Sequence, residues 1–232
     1  MTAPSIQVLQ LTHEKRQAVS GTDILIVGNP TMPNITTEIG KPPEQLSSLP
    51  GAETEAIKIA QILKTQPLIG SAATKKTIAQ QLAKARIIHF ATHGLLEYGI
   101  PEESEVKDIP GAIALAPSGN DNGLLTSREI FNMKLNAELV VLSACDTGRG
   151  DITGDGVIGL SRSLITAGVP SVIVSLWSVP DAPTAELMTE FYQKWKKSGN
   201  KAEALREAML TTMQSHQHPR NWAAFTLIGE AE

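Results

Sequence analysis

Short β-branched segments alternate with segments of helical periodicity along most of this chain, and this alternation limits the folds that it can adopt. Strands are expected at residues 24–27, 67–69, 87–91, 139–142, 171–177 and 222–228. Helices are expected at residues 53–63, 74–84, 157–167, 183–197 and 201–213. Strands that alternate with helices join through right-handed crossovers and bury both faces of a sheet. The sequence therefore predicts an α/β fold, with a mostly parallel sheet of about six strands and helices on both faces.

The composition fits one domain that extends over residues 1–232. The chain has 232 residues, of which 41% are hydrophobic, and α/β domains of this size often remain undivided. Residues 31–50 are rich in Pro, Thr and Gly and are expected to form a loop. A hairpin and a surface loop are expected between residues 95 and 131.

Charge and cysteine content narrow the classes of partner and the cellular setting. The 20 basic and 24 acidic side chains give a net charge of -4, which leaves no broad electropositive surface for nucleic acid. The single cysteine cannot form an internal disulfide, and no signal segment opens the chain. No apolar run approaches the roughly 18 to 20 residues that span a bilayer. We expect a cytoplasmic protein that binds neither nucleic acid nor membrane.

Two predicted strands end in residues that can perform chemistry. The strand at residues 87–91 is followed by Thr92, His93 and Gly94, and the strand at residues 139–142 is followed closely by Cys145. In open α/β sheets, functional sites lie beyond the carboxyl ends of the strands. We therefore expect His93 and Cys145 to meet at one edge of the sheet.

Attack on a carbonyl carbon requires a thiolate, an imidazole that moves the proton, and N–H groups that bind the oxyanion. Cys145 can serve as the nucleophile and His93 as the acid/base, while the backbone N–H groups of Gly94 and Cys145 can form the oxyanion hole. Taken alone, a strand-end Cys is more often an inert small hydrophobe, and a strand-end His is more often structural. The pair is more informative, because caspases carry a His about 50 residues upstream of the catalytic Cys, and the spacing here is similar.

Four sequence blocks resemble one known family. These are HFATHG, LSACDTG, the run GDGVIGLSRSLITAGVPSVIVSLWSVPD and the closing HPRNWAAFTLIG. Together they look like a CHAT domain, the caspase-like domain that often follows TPR repeats in bacterial proteins and is related to separase. The resemblance extends over nearly the whole chain, from Gly28 to Gly229, with the blocks in the same order.

The resemblance implies a peptidase fold of the clan CD type, with His93 and Cys145 in the positions of the family's dyad. It implies that the chain is the C-terminal part of a longer protein, with residues 1–22 as a lead-in segment. The implied partners are a protein or peptide substrate, and either an upstream TPR region of the parent chain or a regulatory protein. No cofactor is implied.

Three further residues are candidates for the substrate pocket. In separase-like sequences, an Asp after the Leu-Trp block lines a pocket for a basic side chain, and Asp181 matches it; alternatively, Asp181 caps the helix predicted to start near Pro183. Asp155 can shape the pocket from the loop after the nucleophile, or it is a turn residue. Trp177 can form a pocket wall, or it packs against the sheet.

Other features are weaker candidates. His89 is expected to be a core or supporting residue, and His216 and His218 lack neighbouring ligands at metal-binding spacing. Gly154, Gly156 and Gly159 have Gly-x-Gly-x-x-Gly spacing but follow a long loop, so nucleotide binding is a third choice. The sequence favours a cysteine endopeptidase that forms a thioester acyl-enzyme. The alternative is a regulatory or scaffold CHAT domain that is silent without a partner or trigger.

Overall fold

The structure is a computed structural model that describes residues 2, 5–36, 41–96, 98–99, 108–143, 145–146 and 154–232. At residues 145–146 and 154–158 it describes the backbone. The strands, numbered along the chain, are β1 Asp23–Pro30, β2 Asn34–Ile35, β3 Glu44–Gln45, β4 Leu68–Gly70, β5 Ala85–Ala91, β6 His93–Leu95, β7 Ala112–Ala114, β8 Leu124–Thr126, β9 Leu139–Leu142, β10 Cys145–Asp146, β11 Ser171–Ser175 and β12 Phe225–Gly229. The helices are α1 Ile6–Gln17, α2 Pro50–Leu63, α3 Lys75–Leu82, α4 Ser127–Phe131, α5 Gly154–Thr166, α6 Asp181–Ser198 and α7 Lys201–Ser215, with a 3-10 turn at Pro219–Asn221.

The central sheet has six strands in the order β12-β11-β9-β5-β1-β4. Its first five strands along the chain are parallel, and β12 alone in this sheet runs antiparallel, paired with β11. The expected sheet of about six mostly parallel strands is therefore confirmed. The antiparallel direction of β12 was not predicted, because strand direction leaves no mark on a short apolar run.

Alternate residues of each central strand pack into two separate cores. In β1, Leu25 and Val27 belong to one core and Ile26 to the other, as the two-residue period of a strand requires. Helices α3, α4 and α5 cover the first core, while α2, α6 and α7 cover the second. Both faces of the sheet are thus buried, which explains why its strands have continuous apolar sequences.

Local signals explain where several helices begin and end. Thr74 and Asn200 cap the starts of α3 and α7 by accepting backbone N–H groups with their side chains. The α2 helix ends at Lys64, whose φ of 58° is left-handed, and α6 ends at Gly199. The predicted bounds of these helices are close to those observed.

Two parts of the fold were not expected. Helix α1 lies within residues 1–22, which the sequence suggested only as a lead-in segment; Thr12 is its one buried residue, so it lacks the apolar stripe that predicts a helix. A second sheet, in the order β10-β6-β7-β8, extends from the carboxyl edge of the central sheet. The expected hairpin forms its β7 and β8 strands.

Candidate active site

His93 and Cys145 are direct backbone partners in the second sheet. Strand β10 pairs in parallel with β6, with Cys145 opposite His93 and Asp146 opposite Gly94. This pairing continues one that starts in the central sheet, where β5 lies beside β9. Gly94 also pairs on its other side with Ile113 of β7. Two segments far apart in sequence therefore meet at the carboxyl edge of the central sheet.

The His93 ring is buried, with 2% of its surface exposed. Its Nε2 lies 2.7 Å from the carbonyl oxygen of Ser47. A carbonyl oxygen only accepts hydrogen bonds, so Nε2 carries a proton and donates it. In the neutral ring the basic nitrogen is then Nδ1, which is the atom suited to take a proton from an acid.

The Ser47 carbonyl belongs to the stretch that leads into α2 and includes its first two residues, which we call the 47–51 segment. Asn29, at the end of β1, accepts hydrogen bonds with Oδ1 from the Leu49 N–H at 2.8 Å and the Ser48 hydroxyl at 3.1 Å. Its Nδ2 donates to Glu53 at 3.0 Å. Neither Asn29 nor Ser47 was predicted from the sequence as a functional residue. The available signal for Asn29 was a polar residue directly after a buried strand.

Asp181 lies at the other side of the same segment. Its Oδ2 accepts the backbone N–H of Gly51 at 2.6 Å. The α6 helix begins at Asp181 itself, with Pro180 as the residue before it, so Asp181 does not cap a helix that starts near Pro183. It instead satisfies an N–H in the first turn of α2, where a carboxylate is also favoured by the helix dipole.

The remaining pocket candidates have different surroundings. Trp177 is half-buried, packs against the core beneath α6, and donates its indole N–H to the Arg220 carbonyl at 3.2 Å. The neighbouring Leu176 is 44% exposed. Asp155 is in the first turn of α5, and its side chain lies outside the described part of the structure.

A buried polar cluster lies one helical turn from the 47–51 segment. His89 of β5 contacts Glu55 of α2 through Nε2 at 2.8 Å, and Tyr192 of α6 through Nδ1 at 3.2 Å. The three side chains are 0–1% exposed. Burial, and secondarily the Glu55 carboxylate, raises the pKa of Tyr192 well above its usual value. His89 therefore has the supporting position that its sequence context suggested.

Two kinds of feature are absent from the described residues. Within that part of the chain, no three His, Cys, Asp or Glu side chains are grouped in a way that could hold a metal ion. None of the helices described here has the length and apolar character needed to cross a bilayer.

One family model matches almost the whole chain. The model described as the CHAT domain matches residues 1–230. The chain is also 32% identical over 239 residues to Tetratricopeptide repeat protein 28 of Mus musculus, a match that covers 90% of this chain and 10% of that protein. The Homo sapiens protein of the same name is 32% identical over 233 residues, with 88% and 9% covered. The chain spans about a tenth of the length of these relatives.

Solved structures share the fold. The Arg-specific cysteine proteinase gingipain R of Porphyromonas gingivalis superposes with a TM-score of 0.60 at 11% identity, covering 99% of this chain and 53% of that one. The separase of Saccharomyces cerevisiae, solved with securin, gives a TM-score of 0.55 at 16% identity, covering 98% and 14%. These similarities confirm the caspase-like α/β fold. Both named relatives of the chain are mammalian, so a bacterial setting stays a prediction.

Proposed function

Because this chain belongs to the CHAT domain family, whose fold is that of the caspase-like cysteine peptidases, we propose that it is a cysteine endopeptidase with His93 and Cys145 as its dyad. The supporting observation is the register of β6 and β10, in which these two residues are direct partners. Adjacent strands lie about 5 Å apart, a separation across which a thiol and an imidazole can exchange a proton. The activity would act on peptide bonds in protein substrates.

The protonation of His93 supports an order of steps. Nδ1 of the neutral ring takes the thiol proton, and the thiolate of Cys145 attacks the carbonyl carbon, forming a C–S bond. The backbone N–H groups of Gly94 and Cys145 donate to the oxyanion. The C–N bond then breaks, and the leaving amine takes the proton from His93. A water molecule, deprotonated by the same ring, then attacks the thioester carbon and forms a C–O bond. The C–S bond breaks, the acid product leaves, and the Cys145 thiolate takes the proton back from His93.

The Cys145→Ala variant tests this proposal. We expect it to lose cleavage of protein substrates and to keep its thermal unfolding temperature nearly unchanged. Because Cys145 is the single cysteine, labelling of the native chain by an electrophilic peptide probe reports on this thiol alone. The probe should label the native chain in one-to-one ratio and should not label the His93→Ala variant at the same rate. Undiminished cleavage by Cys145→Ala would refute the assignment.

For specificity, we propose that Asp181 binds a basic side chain before the scissile bond, with Trp177 and Asp155 contributing to the same pocket. The Arg specificity stated for gingipain R supports a basic preference. The carboxylate of Asp181 has two oxygens, and Oδ2 accepts the Gly51 N–H. A guanidinium can share such a carboxylate through charge-assisted hydrogen bonds.

The Asp181→Asn variant separates the two roles of this side chain. An amide oxygen can still accept the Gly51 N–H, while the negative charge is lost. We expect kcat/KM for peptides with Arg before the scissile bond to fall about 10-fold to 100-fold relative to peptides with Leu. Glu186→Gln, on the same helix, is the control and should preserve the ratio. An unchanged ratio in Asp181→Asn would show that Asp181 stabilises the first turn of α2 and does not bind the substrate.

The second candidate is a regulatory or scaffold CHAT domain that is silent without a partner. One observation favours it: the two named relatives are TPR proteins about ten times longer than this chain, in which an upstream TPR region is a natural partner. If the domain is a scaffold with no peptidase role, the probe should leave Cys145 unlabelled both in the chain alone and in the full-length protein with its trigger present. Labelling that appears only in the full-length protein would indicate a peptidase that needs its TPR region for activation.

A further inference from the structure

We propose that Asn29 is a positioning residue for His93, and that it acts by holding the 47–51 segment in place. The Ser47 carbonyl of this segment fixes the His93 ring through Nε2, and Asn29 fixes the segment. The inference rests on the proposed role of His93 as acid/base. Its first test, however, measures the His93 ring directly and does not require peptide cleavage.

The hydrophobic packing of the 47–51 segment comes from Leu49, which lies against the small core around Leu46. Ser47 and Ser48 are exposed, and an open pocket of about 290 Å³ adjoins Ser48, lined also by Asn29, Gln45 and Glu53. An exposed irregular backbone with few apolar contacts opens easily. The position of the Ser47 carbonyl therefore depends on hydrogen bonds from neighbouring elements.

Asn29 provides three of these bonds with one side chain. Oδ1 accepts from Leu49 and Ser48, and Nδ2 donates to Glu53 in the first turn of α2. The two ends of the amide thus face opposite kinds of partner, which fixes its orientation. Because these contacts reach both the 47–51 segment and α2, Asn29 holds both of them against the end of β1.

The backbone of Asn29 is itself unusual. Its φ is 41°, and the pairing of β1 with β4 shifts register between Gly28 and Pro30. Asn tolerates left-handed φ better than most residues because its short polar side chain bonds locally. Glycine tolerates this φ equally well, so Asn29→Gly removes the side chain and retains the backbone conformation.

A matched control for Asn29→Gly lies at the C-terminal end of α2. Lys64, at the far end of the helix, is the other non-glycine residue with positive φ in the described part of the chain, at 58°. Lys64→Gly makes the same kind of backbone change away from His93. We expect Asn29→Gly to lower kcat by up to about 100-fold, the loss typical of a catalytic group displaced by about 1 Å. KM should change little, and Lys64→Gly should change neither constant.

The direct readout is the Nε2–H proton of His93 in an NMR spectrum. In the native chain this proton should be visible and protected from solvent exchange, because it is buried and bonded to a carbonyl; its signal is assigned by its absence in His93→Ala. We expect Asn29→Gly to lose the signal or speed its exchange at least 10-fold, with the signal intact in Lys64→Gly. This readout remains valid if the chain has no peptidase activity.

A double variant tests the hydrogen-bond pattern itself. Asn29→Asp keeps the acceptor for Leu49 and Ser48 but places a carboxylate against Glu53, so the signal should weaken as in Asn29→Gly. Adding Glu53→Gln supplies an amide donor at position 53 and should restore both the signal and kcat. The proposal is overturned if the His93 signal of folded Asn29→Gly matches the native one, or if the double variant behaves like Asn29→Asp.

Discussion

Two histidines four positions apart on one stretch of chain have contrasting surroundings. His89 is completely buried, and both of its ring nitrogens contact side chains, from Glu55 on α2 and Tyr192 on α6. His93 contacts the backbone carbonyl of Ser47 through one nitrogen and is the strand partner of Cys145. The role of a histidine thus depends on which groups hold its ring. Two side-chain contacts connect His89 to helices on one face of the sheet, whereas the Ser47 carbonyl orients the His93 ring at the strand end where β6 pairs with β10.

The largest effect should follow from removing the His93 ring. We expect His93→Ala to reduce cleavage and alkylation of Cys145 by about 10²-fold to 10⁴-fold, the usual contribution of a general acid/base. The free energy of unfolding should fall by about 1 to 3 kcal/mol, because a buried ring and its hydrogen bond to the Ser47 carbonyl are removed. His13→Ala, at an exposed position on α1, is the control histidine variant and should change neither value. A His93→Ala protein with native alkylation kinetics would remove the distinction between the two histidines.

Replacing the other histidine should have the opposite pattern. His89→Leu leaves the Glu55 carboxylate buried without its partner, which costs about 3 to 5 kcal/mol. For a chain of this size, the unfolding temperature should fall by about 10 °C, while kcat per folded molecule stays near the native value. Glu190→Gln, which breaks an i,i+4 surface pair with Lys194, should cost less than about 0.5 kcal/mol.

The same comparison can be sharpened by removing the carboxylate as well. In the His89→Leu background, Glu55→Leu eliminates the uncompensated charge, so we expect it to recover most of the lost stability. Thermal unfolding of the single and double variants measures this directly. If the double variant is less stable than His89→Leu alone, the Glu55 carboxylate has another partner, and His89 is not the group that compensates it.

The sequence predicted the central sheet because most of its strands contain a short apolar, β-branched run. It also predicted that His93 and Cys145 approach each other, since their segments follow neighbouring parallel strands. The second sheet was harder to foresee, because strands of two or three residues such as Cys145–Asp146 are too short to show a period. Its presence means that the two residues pair within a sheet and do not simply follow the strand ends.

The contacts that hold the His93 ring and the 47–51 segment were not predictable from residue types. The Ser47 contact is made by a backbone carbonyl, which every residue has, so the sequence contains no mark of it. Asn29 follows the apolar part of β1, and its three hydrogen bonds depend on a loop whose path the sequence does not reveal. The Glu55–His89–Tyr192 cluster likewise depends on how two helices pack on one face of the sheet.

A smaller effect is expected from the hydroxyl of the buried cluster. Tyr192→Phe removes the contact with His89 Nδ1 and leaves that nitrogen buried with one partner fewer, at a cost of about 1 to 3 kcal/mol. The edge-to-face packing of the ring on Phe191, at 5.0 Å between centroids, should be preserved. The midpoint of urea unfolding measures the change. A cost equal to that of His89→Leu would mean that the hydroxyl, and not the carboxylate, dominates the cluster.

The smallest effect is a pH dependence confined to alkaline solution. Burial and Glu55 raise the pKa of Tyr192 in the folded chain, whereas in the unfolded chain it titrates near pH 10. The stability that the neutral hydroxyl contributes is therefore complete below about pH 10 and declines as the pH rises toward the folded pKa. The stability difference between the native chain and Tyr192→Phe should shrink by about 1.4 kcal/mol for each pH unit above 10. Other titrating groups are common to both proteins and cancel, so a difference that stays constant from pH 8 to pH 11 would contradict the buried, neutral state of Tyr192.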